Sequence, residues 1–507
     1  MATKTDLLPA DEDGIRLPVR APVARKRNIN PRLWTTPDRV RLLAALAAVL
    51  AVLFAALVVG RASGGRAGLQ EIGHDSGPQV VASSDLYVAL NDMDAQLANV
   101  LLIGNAKGLG ITRDQALGTF EQRRAQADKD LQQASALAGG DQAAATALRK
   151  ALDGLGRYES LAAQAILLDG QHPHSAALPS PAALAVYRQA TETMKSDVLP
   201  AAQKLRDANA DRIESSYRHR ESSLNAGSGY ALVLGLGLTA ALGSVHYYLT
   251  RRTRRLANPA LLVAMAVALA GSVAASSALA SAASHLHTAK KDAFDSVLAL
   301  THARAIGWET NADESRGIVD RGQWAAYQVD FYAGAGALVR VDGPDGREMD
   351  KTLDPKYYQS ALDGIVKNYR AAGSAGGGGR IDLGGLLGDE FNNITFTGER
   401  EAAEKALYAW KAYQADDVHL RDLYLSGNLG ETVRFDTSSA PGDSNGAFSA
   451  FDRSLADVIA INQSQFEANI ASGDDGLSGW TAIPPVLALV IIGLVWVGVR
   501  PRLSEYR

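Results

Sequence analysis

The sequence predicts an all-α membrane protein, with four transmembrane helices and two extracytoplasmic helical-bundle domains. Three observations predict it. Four stretches, 42–60, 230–249, 259–283 and 480–499, contain no Asp, Glu, Lys or Arg, and each approaches the ~20 apolar residues that cross a ~30 Å hydrocarbon core. The segments 1–41, 251–255 and 500–507 hold 16 basic and 6 acidic residues, leaving 35 and 49 for the rest. The long segments 61–229 and 284–479 repeat apolar residues with a period near 3.6, the helical signature.

The charge split sets the orientation, because Lys and Arg concentrate in cytoplasmic loops. Both termini and the middle hairpin are expected inside, at net +10, and both long segments outside, at net −14. The expected location is the plasma membrane, multi-pass.

In chain order, residues 1–41 read as a disordered cytoplasmic tail, with five prolines among mixed charges and no apolar periodicity. Thr36, Pro37 and Asp38 suit the N-cap and first turn of span 42–60. The first extracytoplasmic unit, 61–229, opens on Tyr87, Leu90, Leu97 and Leu101. Helices over 113–137 and 141–166 follow, then a loop 173–181, then a long helix from Pro181 with Pro200 as a possible kink. This up-down order describes a four-helix bundle of the sensor type.

Span 230–249 leads to the Arg-rich loop 250–258 and span 259–283. The second unit, 284–479, opens on Phe294, Val297, Leu298 and Ile306 and closes on Phe448, Phe451, Leu455 and Ile459. Turns are expected at 341–346 and a flexible loop at 373–379. Span 480–499 and the tail 500–507 end the chain. The two opening helices align at an offset of 207, which sets Tyr87 on Phe294.

In the middle hairpin, Gly235, Thr239 and Gly243 face Ala264, Ala268, Ser272 and Ser276, all spaced by four. Small residues in this pattern let membrane helices approach closely. His246, beside Tyr247 and Tyr248, reads as part of an interfacial aromatic belt rather than a proton relay.

The chain has no cysteine, which excludes disulfides and thiol chemistry. The glycine run 376–379 lacks the Gly-Lys-Ser/Thr of a phosphate loop. No nucleophile elbow or metal-ligand spacing is present, so no catalysis, metal or cofactor is expected, and no nucleic-acid partner. Two polar segments, 309–316 and 388–400, are expected to form an outer docking surface through Asp313, Glu314, Arg316, Asn392, Asn393, Glu399 and Arg400. The plainer reading is a solvated helix end and a capping loop with Thr397 as N-cap. Arg251, Arg252, Arg254 and Arg255 form a basic patch that fixes topology, attracts anionic lipid and is a possible output surface.

Particular stretches carry a family resemblance: 86–87, 92–95 and 103–104; 187–190 and 199–202; and, in the second half, 292–296, 311–316 and 392–400. Together they resemble the GlnX family of actinobacterial four-span transmembrane sensors. The resemblance implies an amino-acid-sensing relay, in which a glutamate/aspartate-type solute-binding lipoprotein outside is read by the membrane protein, which informs the cytosolic Ser/Thr kinase, protein kinase G. The alternatives are a direct small-ligand chemoreceptor and an accessory subunit of a transport complex. A homodimer is possible.

Overall fold

The computed structural model describes residues 36–137, 142–253, 257–341, 355–374 and 383–504. The tail 1–35, Arg254, Arg255, most of the expected turns at 341–346, the run 376–379 and 505–507 lie outside the described residues. Among the described residues the fold is helical, with no strand.

Helix α1 (Thr36–Gln70) passes through a π-helical turn (Glu71–Ser76) into α2 (Gly77–Ile103). Helices α3 (Arg113–Leu137) and α4 (Gln142–Gln171) follow. Then α5 (Pro181–Thr193) leads through a second π-turn (Met194–Val198) to α6 (Leu199–Thr253). The expected kink at Pro200 takes the form of that π-turn. Proline lacks an N–H and its ring crowds the carbonyl four residues back, and one widened turn relieves both. Ser180 caps α5 through its side chain, with Pro181 in the first turn.

The second half begins with α7 (Pro259–His287), a third π-turn (Thr288–Phe294) and α8 (Asp295–Val319). Next come α9 (Trp324–Leu338), α10 (Pro355–Ser374), α11 (Leu386–Asn393), α12 (Glu399–Leu425) and α13 (Leu429–Thr437). Helix α14 (Ser444–Leu477) and a short 3-10 turn lead to α15 (Ile483–Ser504). The two π-turns that follow the outgoing helices start 217 residues apart, ten more than the offset of 207 at which the apolar patterns align.

Four helices are long and apolar enough to cross a membrane, within Pro37–His74, Pro181–Arg251, Pro259–Val319 and Ser444–Pro501. Their outward residues, among them Val49, Leu53, Val233, Val273, Leu489 and Val497, are exposed and apolar. Such a belt suits lipid contact. The chain reads as a multi-pass membrane protein. Gly235 packs against Ser272: a Cβ on Gly235 would fall 2.0 Å from the Ser272 Cβ. The small residues of the hairpin therefore do bring α6 and α7 into close contact.

Beyond the spans, the two long segments form one body. Helix α2 lies along α8. The core of the first unit, built on Leu90, Met93, Leu97, Tyr158 and Tyr187, takes in Ile318, Val319, Leu420, Val433 and Phe435 from the second. The second unit has its own core around Trp410, Tyr358, Tyr413, Phe331 and Phe451.

Candidate functional site

The seam between the units is polar at its centre. Every residue of α8 from Thr310 to Val319 is buried, whatever its polarity. The segment 309–316 reads from sequence as surface, yet Asp313, Glu314 and Arg316 are interior. They are stable there because neighbouring helices supply partners, without which a buried charge is strongly unfavourable.

Arg316 donates from Nε to Asp94 of α2 at 2.8 Å and from a terminal nitrogen to Asp313 at 2.7 Å. Its other terminal nitrogen is buried without a partner. Lys195, in the second π-turn, reaches Asp313 at 3.5 Å and Asp330 at 2.6 Å. Burial by itself would lower the Arg316 pKa, and the charges of Asp94 and Asp313 more than reverse this. Burial raises Asp313 against the pull of Arg316 and Lys195. At the rim of the seam, Arg188 grips Asp320 through two hydrogen bonds, 2.6 and 2.5 Å.

On the opposite face of α8, Glu314 accepts from Tyr413 at 2.8 Å and Ser444 at 2.9 Å. The Ser315 hydroxyl lies between Asn99 Oδ1 at 3.3 Å and Asp436 Oδ2 at 3.0 Å, with its one proton to share between them. Asp417 pairs with Arg421 at 2.7 Å. Burial and the nearby charges of Asp417 and Asp436 push Glu314 well above the carboxylate range. Burial raises Asp436 to about 7. One buried guanidinium thus faces three buried carboxyls, an excess of acid that favours the protonated forms of Glu314 and Asp436.

The 388–400 segment divides. Asn392 and Arg400 are exposed, and Arg400 donates to the Tyr369 hydroxyl at 3.3 Å. Asn393 turns inward, donating to Ser296 at 2.7 Å. Glu399 is fully buried. One of its oxygens accepts the N–H groups of Thr395 and Phe396 at 2.8 and 2.9 Å, and the other accepts from Asn462 at 2.6 Å. Gly398, in the left-handed region at φ 87°, takes the N-cap position expected for Thr397. Glu399 therefore reaches back to hold the loop ahead of α12, and its carboxylate is turned away from any partner outside. Burial and the Glu399 charge raise neighbouring Glu390 to about 8.

At the far end of the spans, α6 continues to Thr253, so the arginine patch begins as helix. Arg251 lies over the Tyr247 ring and donates to its hydroxyl at 2.9 Å. The Arg252 side chain, like Arg254 and Arg255, lies outside the described residues. Asn258 caps α7 and donates to the Gly498 carbonyl at 2.9 Å, tying the hairpin to α15.

The residues that sequence reasoning missed are Asp94, Lys195, Asp417, Arg421 and Asp436. One signal was present: Asp92 and Asp94 are the only charges between Asp85 and Lys107, in a stretch otherwise fit for a core. Such an arrangement joins two helical units by ion pairs whose geometry depends on how α2 and α8 lie.

No curated protein and no solved structure matches the chain. Residues 68–218, which run from the end of α1 into α6 and contain Asp94, Tyr187, Arg188 and Lys195, match the family described as the actinobacterial sensor domain.

Proposed function

We propose that this chain is a transmembrane signal relay. It reads an extracytoplasmic amino-acid-binding lipoprotein and informs a cytosolic Ser/Thr kinase, with no catalysis of its own. The observation that carries this reading is continuity. Helix α6 runs 55 residues, from beside the ion-paired seam through a span to the arginine patch. At ~1.5 Å per residue that is roughly 80 Å of unbroken helix. Helices α7 and α8 are likewise joined by a single π-turn. A shift at the seam is thus carried to the opposite end of the spans. The sensor-domain match supports a sensing role, and the +10 against −14 charge split supports the orientation.

With Asp313, Glu314, Arg316 and Glu399 buried, docking falls to exposed groups of the 388–400 segment, Asn392 and Arg400 among them. A partner shifts the chain only through different affinity for its two states. The test is pull-down from crosslinked membranes with and without the amino acid. Kinase and lipoprotein should be captured together by the intact chain, with kinase capture changing with ligand. Ligand-independent capture of a transporter instead would favour the accessory-subunit alternative. A titration with Arg400→Ala should show weakened lipoprotein binding in a folded protein.

A further inference from the structure

A second feature lies below the seam, where the units meet near the spans. A cavity of about 220 Å³ is walled by α2 and its π-turn, by α3, by the start of α8 and by α14. Its floor is apolar and buried: Ala82, Phe294, Val297 and Phe466. The Phe294 and Phe466 rings stand 5.2 Å apart. Into this cavity faces Asp130, only 3% exposed. One of its oxygens accepts from Gln126 at 2.8 Å, and the other is buried with no partner. A buried carboxylate oxygen left without a donor is costly, and the neighbouring Lys129 charge and the Gln126 hydrogen bond offset this only in part.

The other charged groups facing the space are Asp85 from α2, Glu467 from α14 and Lys129 from α3. Three carboxyls thus meet one ammonium. Glu467 and Lys129 are exposed and stand at the mouth. Arg304 of α8 approaches Asp85 at 3.8 Å but is committed to Asp452 through two hydrogen bonds, 2.6 and 3.0 Å. The balance disfavours an anionic ligand. A hard divalent ion needs about six converging oxygen ligands, and among the described residues no three acidic or histidine side chains lie close enough together to hold one. An organic cation suits both parts, since its charge pairs with the carboxylates and its carbon skeleton and positive edge lie against aromatic faces. A cavity of about 150 Å³ holds benzene, so this one admits a ligand of roughly six to ten non-hydrogen atoms.

We infer that this cavity binds a small organic ammonium ion, with Asp130 as its buried counter-ion and Asp85 and Glu467 at its entrance. Because the walls come from both units, beside two of the three π-turns, an occupant favours one arrangement of α2 and α3 against α8 and α14. The site is a second input on the chain itself, and it does not rest on the lipoprotein relay. Burial raises the Asp130 pKa to about 6, so binding should weaken below that pH as the counter-ion is protonated.

The test is calorimetric titration of the purified full chain, in neutral detergent at pH 7.5 and without any lipoprotein. The probes are butane-1,4-diamine, ethanolamine and choline, with butane-1,4-diol and succinate as neutral and anionic controls. At least one cation should bind at a single saturable site with Kd below about 1 mM, and neither control should. Asp130→Asn, which keeps shape and removes the charge, should weaken that binding at least tenfold. Ala82→Leu fills the cavity and keeps every charge, so it should also abolish binding, and it decides the matter if Asp130→Asn does not fold. The proposal is overturned if none of the three cations binds, if succinate binds as well as they do, or if a folded Asp130→Asn binds undiminished.

Discussion

The Nε of Arg316 donates to Oδ2 of Asp94 at 2.8 Å, across 222 residues of chain and with both side chains fully buried. Asp94 belongs to the first span-bundle-span unit and Arg316 to the second. The pair therefore makes the register of α2 against α8 a matter of charge as well as of shape. An apolar seam tolerates sliding, whereas a buried guanidinium hydrogen-bonded to Asp94 on one side and Asp313 on the other has one low-energy position.

Removing one partner of a buried pair leaves the other charge uncompensated, at a cost of about 3–5 kcal/mol. Arg316→Ala should therefore lower the unfolding temperature of the detergent-solubilised chain markedly, because Asp94 and Asp313 are left facing each other. Arg316→Met combined with Asp94→Asn and Asp313→Asn should recover most of the loss. An Arg316→Ala variant with the unfolding temperature of the parent would mean that water reaches the seam and Arg316 is not buried in solution.

Alanine at Gly235 requires the hairpin helices to separate, since its Cβ would fall 2.0 Å from that of Ser272. Gly235→Ala should lower thermal stability in detergent, and Gly235→Ala with Ser272→Gly should restore it. Equal loss in the single and double variants would show that the contact is not the cause.

Asp436 and Glu390 give a pH dependence with a definite sign. Their folded pKa values, about 7 and about 8, lie above the ordinary 3.8 and 4.5. The folded chain holds protons that the unfolded chain has released, so stability falls as pH rises from about 4 through 8. Glu214, lowered to about 2 by its hydrogen bond with Lys290, opposes this below that window, and His302, lowered by burial, opposes it within the window with a single proton against two. The unfolding temperature should be higher at pH 5 than at pH 8. Asp436→Asn with Glu390→Gln should flatten the slope, and an unchanged slope would assign it to other groups.

The orientation is tested by reporter fusions after residues 20, 150, 400 and 507. A reporter active only in the cytoplasm should work at 20 and 507 and fail at 150 and 400. Activity at 150 or 400 would reverse the topology, whatever the charge split says.

The basic patch is tested more gently. Arg252→Gln with Arg254→Gln leaves Arg251 and Arg255 to hold orientation. Signalling to the cytosolic partner should drop by several-fold while the fusions report the same topology. Full-strength signalling would move the output to the tail 1–41.

The spans, the helices of the first unit and the close hairpin were legible in the sequence because each is set locally. A run without charge, a 3.6-residue period or a row of small residues means the same wherever the chain goes. Even the N-terminus of α5, at Pro181 after Ser180, follows from neighbours in sequence. The fate of 309–316 was not legible. Asp313, Glu314 and Arg316 form a polar helix end by pattern, and only the arrival of Asp94, Lys195, Tyr413 and Ser444 from four other segments makes them interior. The same reason hid the role of Glu399, whose backbone and Asn462 partners meet only once α12 lies on α14. Sequence determines where charge and apolar surface fall along each helix, and tertiary structure decides which charges meet, because a buried ion is stabilised by partners that the local pattern does not contain.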